Sequence, residues 1–313
     1  MTDNEYLQKV LASQTLDSDG EEMKEVRSRR DAVRDKLREK YGSRPSIRYG
    51  GSKAKGTMIK EAYDLDVICY FDNDDDSAGD TLQEIYDSVA ETFEEDYHIE
   101  RKPSAVRLMS KDSANFGEDY HTDVVPGRFV DEERDDVFLY RHSGEKGRQK
   151  TNLKVHIDHV KDSGAVDEIR LLKLWRARNE LSVRHFVLEL LTIDLLNDNK
   201  DTALTERLIH VWTEMRDNID DMKVEDPANP YGNDLSELFN SSIKLELSNK
   251  AEETLEAIEN DGWEKVFGEL PNEDSDNDSD DDSNNDNSGK TNNGYPAIIV
   301  PSRDVRPSSS FGE

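Results

Sequence analysis

Three aspartates stand where apolar strands begin, and a Gly-Gly-Ser turn precedes the first two. The stretch from Gly50 to Phe71 reads GGSKAKGTMIKEAYDLDVICYF, with Asp64 and Asp66 at the mouth of an apolar run. Asp123 heads a second run in YHTDVVPGR. Alternate residues of a strand share a face. Asp64, Asp66, Ile68 and Tyr70 therefore point one way, and Leu65, Val67, Cys69 and Phe71 the other. Side chains two residues apart lie about 6–7 Å apart along a strand, so both carboxylates can converge on a pair of divalent ions about 3.5–4 Å from each other. Mg²⁺ takes hard oxygen ligands, typically a few carboxylates plus substrate phosphates. Asp123 on a neighbouring strand would complete such a cluster.

Asp-x-Asp also occurs at 17/19, 72/74, 74/76 and throughout 274–282, so the pattern alone carries little in this chain. Context singles out 64/66: a Gly-Gly-Ser turn upstream and an apolar strand directly after. Two readings stand for the aspartates, a metal cluster or solvated strand ends. GSKAKGTM approaches the phosphate-loop pattern G-x-x-x-x-G-K-[ST], but Thr57 stands where the lysine must be, which excludes that motif.

Several elements must position these residues. Ser18-x-x-Glu21 has the form of a capping box. Met23, Val26, Val33, Leu37 and Tyr41 then recur at helical spacing until Gly42, which predicts a helix over 18–42. SIRY (46–49) and DLDVICYF (64–71) read as strands flanking the glycine turn. Leu82, Ile85, Val89 and Phe93 mark a helix, and HIER, SAVRLM, YHTDVVP and VFLYR read as further strands. From about 154 the pattern turns helical, in DEIRLLKLWRAR, FVLELLTIDLL, LTERLIHVWTEM and 234–268. This segregation predicts an α+β protein of two lobes: a mixed β-sheet lobe over 1–153, a helical lobe over 154–270, a disordered acidic linker over 271–294 and a tail over 295–313.

The 313 residues carry 41 Lys+Arg against 71 Asp+Glu, a net charge of -30. Residues 272–290 hold eight acids and one lysine, which leaves -23 on the rest. So acidic a surface repels nucleic acid in ordinary salt, and a nucleic-acid activator is not expected. Acidity spread along the chain fits a salt-rich cytoplasm, where self-repulsion is screened. The single cysteine, Cys69, suits a reducing cytosol. No apolar run approaches the roughly 18 residues of a membrane span, so a cytoplasmic protein without membrane contact is expected.

G-G-S, then D-L-D on a strand, then a lone Asp on a later strand resembles the polymerase-β-type nucleotidyltransferase superfamily. VDEIRLLKLWRARNELSVRHFVLELL resembles the helical lobe of oligoadenylate synthetases and of the cyclic-GMP-AMP-synthase-like enzymes called CD-NTases. DPANPYGND (226–234) resembles the Asp-Pro-x-x-Pro loop of the same branch. The resemblance covers roughly residues 20 to 268. It implies a two-lobed nucleotidyltransferase fold and a cyclic or short linear oligonucleotide made from nucleoside triphosphates, in antiviral defence. A nucleotidyltransferase acting on RNA or a protein, and a non-catalytic nucleotide-binding regulator, are the alternatives.

By that resemblance Asp64, Asp66 and Asp123 are the catalytic carboxylates and the ligands of two Mg²⁺ or Mn²⁺ ions. Gly50, Gly51 and Ser52 bring N–H groups and a hydroxyl to the β- and γ-phosphates. Lys173 lies on a helix with little polar surface, so it is expected to be largely buried. The resemblance makes it a triphosphate ligand, the reading preferred here; the alternative is a lysine that snorkels at the helix edge. His185 stands where relatives often carry a nucleotide-contacting serine, a departure that leaves base choice open.

His156 and His159, three apart with no cysteine near, do not make a zinc site. The basic run 141–154 reads as a solvated hairpin, with a loop near the triphosphates or an activator contact as the alternative. In some bacterial defence operons a ubiquitin-transfer-like partner conjugates the synthase through its C-terminus. A protein partner at the tail is therefore a further expectation, although this chain ends Phe-Gly-Glu.

Overall fold

The structure is a computed structural model that describes residues 1–62, 65–111, 121–142, 147–199 and 202–270. Asp64 and the whole of the linker and tail, with the expectations placed on them, lie outside the described residues. Met1–Leu270 form one compact unit.

Seven strands make one mixed sheet among the described residues: β1 (Ser46–Tyr49), β2 (Leu65–Phe71), β3 (Tyr97–Arg101), β4 (Val106–Ser110), β5 (His121–Phe129), β6 (Val137–Tyr140) and β7 (Arg148–Thr151). The order is β1-β2-β5-β4-β3, with β6 pairing with β5 and β7 with β6. Only β2 and β5 run parallel; the other pairs are antiparallel. A parallel central pair buried on both faces reads as a near-continuous apolar run, which is what Val67–Phe71 is. Val67, Cys69, Phe71 and Val124 pack on one face with Val33, Leu37 and Tyr41 of α2 (Glu21–Tyr41) and with Ile85, Tyr86 and Val89 of α4 (Leu82–Glu91). Ile68, Tyr70 and Phe129 form a smaller cluster on the other face. The alternation read from the sequence is thus the alternation of the fold.

The predicted start of α2 is corrected. Helix begins at Glu21 behind Gly20, with no side-chain cap. Residues 17–20 instead close a turn, in which Gly20 N–H donates to the Asp17 carbonyl at 3.1 Å and Asp19 N–H to its carboxylate at 3.0 Å. An aspartate that bonds its own following backbone competes with helix initiation.

The second half is helical: α5 (Leu153–Lys161), α6 (Val166–Arg178), α7 (His185–Leu195), α8 (Leu204–Asp217), α9 (Ser241–Asp261) and α10 (Glu264–Phe267). Trp175, Trp212, Trp263 and Phe267 fill its core with ring contacts of 5.9–6.4 Å. The first helix, α1 (Asp3–Ser13), has no counterpart in the sequence reading. Its Tyr6, Leu7, Val10 and Leu11 belong to this helical core and not to the sheet. No helix among the described residues is long and apolar enough to cross a membrane.

Candidate active site

The parallel register of β2 and β5 sets Asp66 directly beside Asp123. Neighbouring strands lie about 4.8 Å apart, so the two carboxylates share one face of the sheet and one level along it. Gly50 continues the line on the far side, its N–H donating to the Asp66 carbonyl at 3.0 Å. A Cβ at Gly50 would lie 3.2 Å from Ile68 Cδ1 and 3.5 Å from Asp66 Cβ, so a side chain there would press on the Ile68 methyl. Gly51 has a positive φ of 69°, a conformation that costs other residues. Together the two glycines turn β1 into the short helix α3 (Gly51–Lys55) beside the strand that carries Asp66. Ser52 is buried there.

Arg107 of β4 extends the line in the other direction, opposite Asp123. It grips that carboxylate at both oxygens, Nε to Oδ1 at 2.8 Å and a terminal nitrogen to Oδ2 at 2.9 Å. Glu100 of β3 follows opposite Arg107. Asp66, Asp123, Arg107 and Glu100 therefore form a lateral row across β2, β5, β4 and β3, with Gly50 at its end just beyond β1. The sequence reading missed Arg107, because nothing local in SAVRLM distinguishes it from any solvated strand arginine.

The segment from α3 to β2 is strapped to the helices. Ile59 is fully buried in the helical core. Glu61 accepts from Arg178 of α6 at 2.5 and 2.9 Å and from Gln14 at 2.8 Å. Burial would raise the Glu61 pKa, but these donors outweigh it and hold the carboxyl below its ordinary value. Lys173, fully buried as expected, donates to the Thr57 carbonyl at 3.2 Å. Thr57 N–H in turn donates to the Ser52 carbonyl at 2.9 Å. Glu189 of α7 accepts from Lys55 at 2.7 Å and from the Thr57 hydroxyl at 3.0 Å. Lys173 thus meets the segment between the glycine-serine turn and β2 at the Thr57 carbonyl.

His185 opens α7, with Nε2 lying 2.9 Å from an Arg176 nitrogen. The next residue, Phe186, has its ring 5.4 Å from the Lys55 ammonium and 5.0 Å from the His156 ring. Asp226 of the Asp-Pro-x-x-Pro loop is fully buried. It lies 2.7 Å from His156 Nε2, and it accepts from Ala228 N–H at 2.9 Å and from Asn233 at 2.6 Å. This aspartate builds its loop.

Asp66 and Asp123 offer hard oxygen donors on one face, a donor set suited to Mg²⁺ or Mn²⁺. Among the described residues no group of three or more metal-ligating side chains is formed, and Asp123 is engaged by Arg107. The lone pairs that Arg107 leaves on the Asp123 oxygens, with those of Asp66, fit such an ion.

No protein-family model and no curated protein matches the chain. Solved structures do. Escherichia coli MS115-1 CdnC with ATP superposes with a TM-score of 0.62 at 20% identity, over 86% of this chain and 98% of that one. The Bradyrhizobium diazoefficiens CD-NTase CdnG with GTP gives 0.62 at 14%, over 85% and 94%. The Vibrio cholerae cyclic AMP-GMP synthase DncV, with the linear intermediate 5′ pppA(3′,5′)pG, gives 0.56 at 15%, over 86% and 85%. The chain has the CD-NTase fold. Within the CD-NTase fold of this chain, the glycine turn, Asp66 and Asp123 come together; Lys173 bonds the Thr57 carbonyl, and His185 opens α7 beside Arg176.

Proposed function

We propose that the chain is a metal-dependent nucleotidyltransferase that makes a cyclic or short linear oligonucleotide from nucleoside triphosphates. The observation that carries this reading is the lateral alignment of Gly50, Asp66 and Asp123 within a CD-NTase fold. In this reading the turn at Gly50, Gly51 and Ser52 receives the β- and γ-phosphates. Lys173 contributes its charge from behind the turn, and His185 lies at the nucleotide. Asp64, Asp66 and Asp123 hold two divalent ions, and Asp123 faces the attacking hydroxyl. When bound, Mg²⁺ or Mn²⁺ neutralises charge on the reacting phosphate and favours deprotonation of that hydroxyl. What the chain itself supplies is chiefly position: a 2′- or 3′-hydroxyl held in line with the α-phosphate, with pyrophosphate leaving.

An antiviral signalling role and a cytoplasmic, salt-rich setting belong to the same reading. So does a protein partner, since Escherichia coli MS115-1 CdnC is known in a complex with HORMA-deltaN. The test is product analysis. Purified protein is incubated with all four nucleoside triphosphates and Mg²⁺ or Mn²⁺ in molar KCl, beside an Asp66→Asn, Asp123→Asn double variant. A metal-dependent oligonucleotide identified by mass spectrometry, with turnover lower by at least about 10³-fold in the variant, is the expected result. Nucleotides added instead to RNA or protein from cell extract would move the reading to a macromolecular acceptor. Equal product from the double variant would refute it.

A further inference from the structure

We propose that the N-terminal segment 1–15 holds the catalytic strand in place, with Gln14 and Glu61 as positioning residues for Asp66, an inference that rests on the function proposed above. Helix α1 precedes the stretch that carries the family resemblance, so its task has to be read from its own contacts. Its apolar face packs in the helical core. Its C-terminal end meets the segment that runs into β2. Gln14, only 6% exposed, uses both ends of its side-chain amide on Glu61. Nε2 donates to the Glu61 carboxylate at 2.8 Å, and Oε1 accepts from Glu61 N–H at 3.2 Å. The Gln14 carbonyl accepts from Lys60 N–H at 3.0 Å. One buried residue thus bonds two consecutive residues shortly before Leu65, where β2 begins.

Gln14 is itself a fixed post. Arg170 of α6 donates to the Leu11 carbonyl at 3.1 Å and to the Thr15 hydroxyl at 2.8 Å. The Tyr6 hydroxyl donates to the Gly268 carbonyl at 2.6 Å. From the other side Arg178 closes on both Glu61 oxygens at 2.5 and 2.9 Å. A carboxylate gripped at both oxygens has a fixed plane, and here the backbone N–H of the same residue is held as well. Tyr6, Leu7, Val10 and Leu11 already bury α1, so a residue at 14 that only packed would need no amide. A buried amide with donor and acceptor both satisfied specifies one arrangement of its partners. Chemistry that works by position loses much of its rate when a support lets a ligand drift by about 1 Å.

The test compares two variants at this contact with one elsewhere on α1. The full chain is titrated with Mn²⁺ in molar KCl, with free Mn²⁺ followed by electron paramagnetic resonance, and turnover is measured over a range of nucleoside triphosphate concentrations. The sites of interest are those lost in the Asp66→Asn, Asp123→Asn double variant. Gln14→Ala should lower kcat about tenfold with KM changed by no more than about twofold, and should weaken Mn²⁺ binding at these sites about threefold. Glu61→Gln keeps an acceptor for Gln14 and Arg178, and should lower kcat less, by about threefold. Tyr6→Phe loosens α1 from Gly268 without touching Glu61; it should lower the melting temperature but leave kcat and Mn²⁺ binding as in wild type. Circular dichroism confirms that each variant is folded, and Glu61→Gln carries the test should Gln14→Ala not fold. Wild-type kcat and Mn²⁺ binding in both Gln14→Ala and Glu61→Gln, or an equal loss in Tyr6→Phe, overturns the inference and makes α1 a packing element alone. The Mn²⁺ titration needs no turnover: if the double variant binds Mn²⁺ as wild type does, it is the proposed function that has failed.

Discussion

Asp123, Arg107 and Glu100 on the sheet keep from 17% to 50% of their side chains in water, whereas Lys173, Glu189 and Glu168 in the helices keep 2% or less of their surface there. On the sheet, pairing is between neighbours on adjacent strands, and each group has water as an alternative partner. In the helices each charge has been taken out of water and has only fixed protein partners. Burial of an ion is repaid only when its partners are well placed. Two of these buried charges are structural struts: Glu189 ties α7 to Lys55 and Thr57, and Glu168, paired with Arg207 at 3.1 Å, ties α6 to α8. Burial raises the Glu168 pKa, against the opposing pull of its own backbone hydrogen bond and Arg207.

This contrast can be broken by substitution. The largest stability loss is expected for Glu189→Ala, which leaves Lys55 and the Thr57 hydroxyl without their acceptor in a buried setting. A cost of about 3 kcal/mol is expected, or roughly 6–12 °C in melting temperature for a chain of this size, read by differential scanning calorimetry. A variant that melts with wild type would show that buried charge here is not a strut.

Asp226→Asn should cost less, about 2 kcal/mol, because the amide keeps a carbonyl acceptor. Here pH sharpens the comparison. Burial alone would raise the Asp226 pKa, but the hydrogen bonds from His156 and Asn233 prevail and hold it below 3.8. A depressed carboxylate contributes stability that is present above its unfolded value and lost as pH falls through the folded one. The gap in melting temperature between wild type and Asp226→Asn should therefore be full at neutral pH and close as pH falls below 3.8. A gap that stays constant down to pH 3 would mean that the aspartate's charge is irrelevant to the loop.

The smallest stability effect is expected on the row. Asp123→Asn leaves Arg107 with Glu100 and with water, so a loss of about 1 kcal/mol or less is expected. A loss as large as that of Glu189→Ala would erase the distinction between the two regions.

Much of the architecture could be read before any coordinates. The period-two alternation at 65–71 assigned the two faces of β2 correctly, because a strand buried on both sides must sort its residues by face. The helix pattern of α6 identified Lys173 as buried, because apolar neighbours at Ile169, Leu172 and Trp175 leave a lysine there no exposed stripe. Two local signals misled or were absent. Ser18-x-x-Glu21 looked like a cap, but Asp17 used the same residues for a turn. Tyr6, Leu7, Val10 and Leu11 were not recognised as a helix face, since their partners lie more than 150 residues away in α6 and α8.

What the sequence by itself determined was local: residue types, their period, and so which side of a strand or helix each occupies. Those properties depend on neighbours within a few residues. Only the tertiary structure decided which strands meet and in what register. Asp66 stands beside Asp123, and Arg107 between Asp123 and Glu100, because β2, β5, β4 and β3 pair as they do. A shift of one residue in any pairing would turn one partner to the opposite face of the sheet. The register is held by apolar burial on both faces of β2 and β5, a property of the whole core that no short stretch of sequence contains.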